Sequence, residues 1–101
     1  MDPFKPYEPK LRSAPVKMTA SDAEVVALRA VAWIFADDVL RDRFVALTGC
    51  GSDEVRLRLA QPAFLGAVLD FLLGNDADVI AFAEHAGLAP ETMPLARSML
   101  P

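Results

Sequence analysis

Cysteine and histidine are scarce in this sequence, which contains one of each, Cys50 and His85, among 101 residues. A single cysteine excludes an intrachain disulfide bond. The sequence contains neither a zinc-site spacing such as H-x-x-x-H or C-x-x-C nor a calcium-binding loop. We therefore expect no metal and no cofactor.

Long hydrophobic runs are also absent. The longest nearly apolar stretch, Ala23 to Ala36, contains Arg29 and is shorter than the roughly 20 residues of a membrane helix. The beginning of the chain lacks the continuous apolar core of a secretory signal. We therefore expect a cytoplasmic protein without a membrane span.

Lysine is absent after Lys17, and charge divides the chain into two parts. Residues 1–18 have four basic and two acidic side chains, a net charge of +2, whereas residues 19–101 have six arginines and twelve carboxylates, a net charge of −6. Nucleic-acid binders neutralise phosphates with clustered Lys and Arg, so an acidic body argues against that class. This change in net charge predicts an extended basic arm at 1–18 and an acidic domain at 19–101.

The domain composition is that of one globular unit, with 53% hydrophobic and 24% charged residues in the whole chain. A chain this short buries only roughly 60–70% of the surface that it exposes when unfolded. Two alternatives that would cover more of this surface therefore stay open: a homodimer and a complex with a protein partner.

Caps and helical spacing predict an all-α domain, a compact bundle of five or six short helices. Ser21 and Glu24 have the spacing of a capping box that starts a first helix ending near Ala36. A last helix should begin between Pro90 and Met93. Asp37, Asn75 and the proline after Gln61 mark helix starts, and Gly49, Gly74 and Gly87 mark helix ends, which predicts the remaining helices at 38–48, 52–60, 62–73 and 76–86.

The third predicted helix, with Ser52 as its cap, has a competing interpretation. Residues Val55 to Leu59 alternate between apolar and charged side chains, a pattern that also suits a half-buried strand. The sequence offers no second strand to pair with it, and an unpaired strand leaves backbone groups unsatisfied. We therefore favour a helix.

Two predicted helices, 23–36 and 62–73, are apolar almost all round, and such helices are normally enclosed on several sides. Their charges include Arg29 and Asp70. Either each lies on a solvent-facing edge, or the two form a partly buried ion pair with each other. The expected core residues on the two helices are Val26, Trp33, Ile34, Phe64, Leu65, Val68, Leu69 and Leu72.

The segments 44–49, 61–73, 81–83 and 86–88 together resemble a small bacterial family known as domain of unknown function 3572. The most specific feature is the Pro-x-Phe-Leu-x-x-Val-Leu-Asp-Phe-Leu run at 62–72. The resemblance covers residues 20 to 100 and leaves out the arm. It implies an all-helical cytoplasmic protein and brings no activity, cofactor or catalytic residue with it.

Cys50 lies just before a predicted helix, where a helix dipole stabilises a thiolate. The nearby carboxylates of Asp53 and Glu54 oppose that effect, and only His85 could supply the base that a cysteine nucleophile needs. His85 is itself explained by its place in the last turn of a helix. We therefore predict that the protein is not an enzyme.

The second and third predicted helices carry four arginines and could imitate a helix-turn-helix. Residues two apart on a helix point in different directions, so neither pair of arginines forms one basic face. Nearby carboxylates also cancel much of the positive electrostatic field of the arginines. Nucleic acid is thus not the expected partner, and a helix-turn-helix-like DNA-associated regulator is the alternative function. The arginines are Arg41, Arg43, Arg56 and Arg58.

The arm has proline at every third position from Pro3 to Pro9. In polyproline II geometry the prolines share one edge and the rings of Phe4 and Tyr7 share another, an arrangement suited to docking in a groove. Three interpretations stay open: a recognition peptide, an extended tail, or a strap over the protein's own apolar surface. The arm residues expected to make contacts are Phe4, Lys5, Pro6, Tyr7, Pro9 and Lys10.

Together these observations favour a non-enzymatic protein–protein interaction module, such as an adaptor or an accessory subunit. The arm is the first expected contact. Exposed parts of the first and fourth helices are the next.

Overall fold

The computed structural model describes residues 18–101, in which six α-helices follow one another and no strand occurs. The all-α prediction is confirmed, and the third segment is a helix. The predicted arm, apart from Met18, lies outside the described residues. The helices are α1 (Ala20–Phe35), α2 (Asp38–Thr48), α3 (Ser52–Arg58), α4 (Pro62–Leu73), α5 (Asp76–Ala86) and α6 (Thr92–Ser98).

Most helix ends follow the predicted cap chemistry. The Asp37 carboxylate accepts a hydrogen bond from the Leu40 backbone N–H (2.9 Å) at the start of α2, and the Asn75 side chain accepts one from Asp78 (3.3 Å) at the start of α5. Gly49 and Gly87 end α2 and α5 with φ of 75° and 71°. Because these are left-handed conformations, glycine is favoured at both positions.

Helix α1 begins earlier than predicted. Thr19 Oγ1 accepts from the Asp22 backbone N–H, the Asp22 carboxylate accepts from the Thr19 backbone N–H, and both distances are 3.1 Å. The capping box is therefore Thr19 with Asp22, and Ser21 with Glu24 was the wrong pair. Two capping-box patterns overlap within residues 19–24. The pattern that begins at Thr19 is the one used, because it adds residues to the start of the helix. At α3 the N-cap is likewise Gly51, one residue before the predicted Ser52.

Helices α1 and α4 form the centre of the bundle. Helix α1 contacts α2, α4, α5 and α6, and α4 also contacts α5 and α6. Three buried alanines on α1 allow close approach of its neighbours; they are Ala23, Ala27 and Ala30. Seven of the eight predicted core residues are buried. Trp33 is half-buried and packs against the edge of the core.

Helix α2 is anchored by one aromatic side chain. Phe44 is 1% exposed, and its ring meets those of Phe35, Phe64 and Phe71 edge-on, with centroids 5.7, 6.4 and 5.2 Å away. Edge-to-face contacts of this kind stabilise beyond the buried area alone. This cluster joins α2 to α1 and α4.

Candidate interaction surface on helix α1

The structure gives Arg29 and Asp70 different partners and does not bring the two together. Both residues are exposed. Arg29 Nη2 donates to the carbonyl oxygen of Ala86 at the end of α5 (3.0 Å). The Asp70 carboxylate accepts from Nε and Nη2 of Arg97 on α6, at 2.7 and 3.2 Å. Asp70 therefore links α4 to α6.

Arg97 holds the end of α6 against α4. Besides the bidentate contact with Asp70, its Nη1 donates to the carbonyl oxygens of Leu100 (3.0 Å) and Pro101 (3.1 Å). The hydrogen bond that Arg97 donates to the Asp70 carboxylate raises the pKa of Arg97 above its ordinary value. The side chain therefore stays charged at every pH at which the protein would be handled.

Gly66 makes room for this contact. A Cβ atom at position 66 would lie 2.8 Å from the carbonyl oxygen of Pro101 and 2.9 Å from Nη1 of Arg97. A glycine inside a helical pattern costs about 1 kcal/mol relative to alanine, which points to a packing reason for its presence. That signal was available in the sequence, although it does not identify the neighbour.

One side of α1 remains uncovered by the other helices. Val25 is 54% exposed and Leu28 is 40% exposed. Ala32 and Ala36 are also exposed and continue the same side at helical spacing. The expectation that α1 is enclosed on several sides thus holds for only part of its circumference.

A groove of about 300 Å³ adjoins this side of α1. The half-buried indole of Trp33 packs on Phe82, with ring centroids 5.5 Å apart, and its centroid is 6.5 Å from that of His85. Two aromatic rings therefore border a lining that is completed by two alanines, Ala32 and Ala36, and by the Arg29 side chain. We define the α1 surface as Val25, Leu28, Arg29, Ala32, Trp33, Ala36 and His85, of which all but Val25 and Leu28 line the groove.

Cys50 and His85 line different grooves, so the structure does not bring them together. Cys50 is buried, and its thiol donates to the carbonyl oxygen of Thr48 (3.7 Å). His85 is exposed beside Trp33. The arrangement does not form a nucleophile–base pair, which requires hydrogen-bond contact.

The four arginines of α2 and α3 all have carboxylate neighbours. On α3, Arg56 and Arg58 each lie one helical turn from a carboxylate partner. Exposed ion pairs of this kind contribute little to stability. Arg43 instead crosses to Asp78 on α5, and its guanidinium lies 5.2 Å from the centroid of Phe71. The other pairs are Arg41–Asp38 (3.0 Å), Arg56–Asp53 (3.3 Å) and Arg58–Glu54 (2.8 Å).

Within residues 18–101, no three His, Cys, Asp or Glu side chains cluster closely enough to hold a metal ion. None of the helices in this range has the length and hydropathy needed to cross a membrane. The arm residues expected to make contacts all lie outside the described range; they are Phe4, Lys5, Pro6, Tyr7, Pro9 and Lys10.

A family model described as "Protein of unknown function (DUF3572)" matches residues 20–101. The curated proteins contain no match to the chain. The solved structures likewise contain none.

Proposed function

The chain belongs to the DUF3572 family of proteins of unknown function, and we propose that it acts as a non-enzymatic protein–protein interaction module or accessory subunit that binds through the α1 surface. The observation that carries this proposal is the pair of large apolar side chains, Val25 and Leu28, exposed beside the Trp33 groove. Contiguous apolar surface of this kind often marks an interaction site.

The residue types on the α1 surface support the same proposal. Tryptophan and arginine are enriched among the residues that dominate binding energy at protein interfaces. Trp33 and Arg29 both line the groove, and each is held in place: the indole by Phe82 and the guanidinium by the carbonyl oxygen of Ala86. Side chains that are already ordered lose less conformational entropy when a partner binds.

The DNA-associated alternative has less support. Phosphate binding needs basic groups that are free to replace counterions. Each arginine of α2 and α3 already lies beside a carboxylate. A salt-dependent mobility shift of duplex DNA by the full chain would favour this alternative over the interaction module.

The test uses the full chain as immobilised bait in native lysate, with retained proteins identified by mass spectrometry. The double variant V25E/L28E places two charges on the α1 surface. The matched control is L57E, because Leu57 is 78% exposed on α3, outside that surface. We expect a protein that the wild type and L57E retain and the double variant loses. Retention of the same proteins by all three chains would count against the α1 surface, and retention of none by the wild type would count against the module.

A further inference from the structure

Helices α2 and α3 are attached to the bundle less firmly than the other helices. Helix α2 packs extensively only on α1, and α3 packs extensively on no helix. Helices α5 and α6, by contrast, each pack on α1, on α4 and on each other. The parts of a protein with low contact density are those that open before the whole molecule unfolds.

The large apolar side chains on the outside of α2 and α3 add little to their attachment. Val39 and Leu47 on α2 are 73% and 72% exposed, and Leu57 on α3 is 78% exposed. An apolar side chain stabilises the fold in proportion to the area that it removes from water, so these three contribute little. The buried side chains that fix the two helices are Leu40 and Phe44 on α2 and Val55 on α3.

The loop between α2 and α3 joins the two helices into one unit. The Thr48 hydroxyl donates to the carbonyl oxygen of Phe44 (2.8 Å) and accepts from the Cys50 backbone N–H (3.1 Å). At the start of α3, the Val55 N–H donates to the carbonyl oxygen of Gly51 (2.9 Å). These hydrogen bonds all lie within the two helices and their loop, so the unit can move without breaking them.

An ion pair holds this unit to α5. Within residues 18–101, the contact of Arg43 with Asp78 is the one side-chain hydrogen bond from α2 or α3 to another helix. The Asp78 side chain is only 14% exposed, and the Arg43 guanidinium also lies over the Phe71 ring. A largely buried carboxylate that loses its cation destabilises the closed structure. Movement of α2 away from α5 would instead return this carboxylate to water.

From these observations we propose that residues 38–58 form a flap that opens as a unit from the folded bundle, with the Arg43–Asp78 ion pair as its latch. Opening removes Phe44 from the space between the three phenylalanine rings that surround it and exposes an aromatic pocket. Open molecules are a minority at equilibrium, so the main unfolding transition stays cooperative. The flap requires no partner and lies outside the α1 surface, so this inference goes beyond the proposed function.

Cys50 reports opening of the flap directly. It is the single cysteine of the chain, it lies in the loop of the flap, and it is buried in the closed structure. Because a buried thiol is unreactive, the rate at which iodoacetamide alkylates Cys50 in the full native chain measures the population of open molecules. Mass spectrometry follows this rate.

The first experiment measures this alkylation rate in the wild type at urea concentrations below the unfolding transition. A local opening exposes little surface, so the logarithm of the rate should rise much less steeply with urea than the logarithm of the global unfolding constant. Equal slopes would show that Cys50 is exposed only by global unfolding, and they would overturn the proposal.

The variant Arg43→Ala tests the latch. It leaves the Asp78 carboxylate unpaired in the closed structure, so we expect alkylation of Cys50 to become about tenfold faster. The matched control is Arg41→Ala, because Arg41 pairs only with carboxylates of α2 itself. The control should change the rate by less than about twofold. No acceleration by Arg43→Ala, or the same acceleration by both variants, would overturn the proposal.

The variant Thr19→Ala separates opening of the flap from a general loss of stability. Thr19 caps the start of α1, whereas the flap follows the end of α1. If Cys50 were exposed only by global unfolding, loss of this cap would accelerate its alkylation about fivefold. We expect an unchanged rate, and a fivefold rise would overturn the proposal.

The flap and the proposed function can fail separately. The variant V25E/L28E changes the α1 surface and should leave the alkylation rate of Cys50 unchanged. Accelerated alkylation in Arg43→Ala without any captured lysate protein would refute the proposed function alone. A captured protein that depends on the α1 surface, together with equal alkylation in the wild type and Arg43→Ala, would refute the flap alone.

Discussion

Two glycines of the α4 region should respond in opposite ways to an added methyl group. Gly66→Ala should lower the free energy of unfolding by about 1–3 kcal/mol, because the Cβ would displace Arg97 and Pro101. Gly74 has φ of −73° and no Cβ neighbour closer than 3.6 Å, so Gly74→Ala should raise it by about 0.4–1 kcal/mol. Urea unfolding measures both values. Equal effects would show that the region around Gly66 adjusts freely.

The capping residue of α1 gives a second test at this scale. Thr19→Ala removes the acceptor for the Asp22 backbone N–H and should lower the free energy of unfolding by about 1 kcal/mol. Ser21 is exposed inside the first turn, so Ser21→Ala should change it by less than about 0.5 kcal/mol. The two variants are compared by thermal or urea unfolding. A larger loss of unfolding free energy for Ser21→Ala than for Thr19→Ala would identify Ser21 as the cap.

At the scale of single residues, the sequence predicts contacts that are local and misses those that are distant. Asp37 and Asn75 bond to groups within three residues of themselves, so spacing alone identifies them. Asp70 and Arg97 are 27 residues apart. Charge pattern marked Asp70 as unusual in an apolar helix, but only the path of the chain decides which arginine reaches it.

At the scale of the helix, α2 depends on very few residues. Phe44 is 1% exposed, whereas Leu47, one turn further on, is 72% exposed. Phe44→Ala should lower the free energy of unfolding by about 3–5 kcal/mol, and Leu47→Ala should change it by less than about 0.5 kcal/mol. Urea unfolding compares them. Similar losses would mean that Leu47 is covered in solution, which a concentration series would attribute to self-association.

Helix α1 shows what apolar composition alone cannot predict. Its sequence correctly indicated a central helix with Val26 and Ile34 in the core. The same composition does not tell which side is covered, because nearly every side is apolar. Val25 and Leu28 are exposed only because the neighbouring helices approach α1 from other directions.

At the scale of the whole molecule, the six helices of residues 18–101 all contribute to one core. The buried cluster extends from Ala23 on α1 through Val55 on α3 to Ala96 on α6. A single cluster predicts a single cooperative unfolding transition. Urea curves from Trp33 fluorescence and from far-ultraviolet circular dichroism should therefore coincide. If they separate, part of the bundle unfolds independently.

The contact between α1 and α6 has a consequence for synthesis of the protein. Helix α1 packs on α6 as well as on α4, yet the ribosome releases residues 20–35 long before residues 92–98. During that interval, the buried side chains of α1 lack part of their final surroundings, and exposed apolar surface of this kind promotes aggregation of nascent chains. The bundle can therefore close only after translation has passed Ser98, and whatever shields α1 in the meantime influences the yield of folded protein.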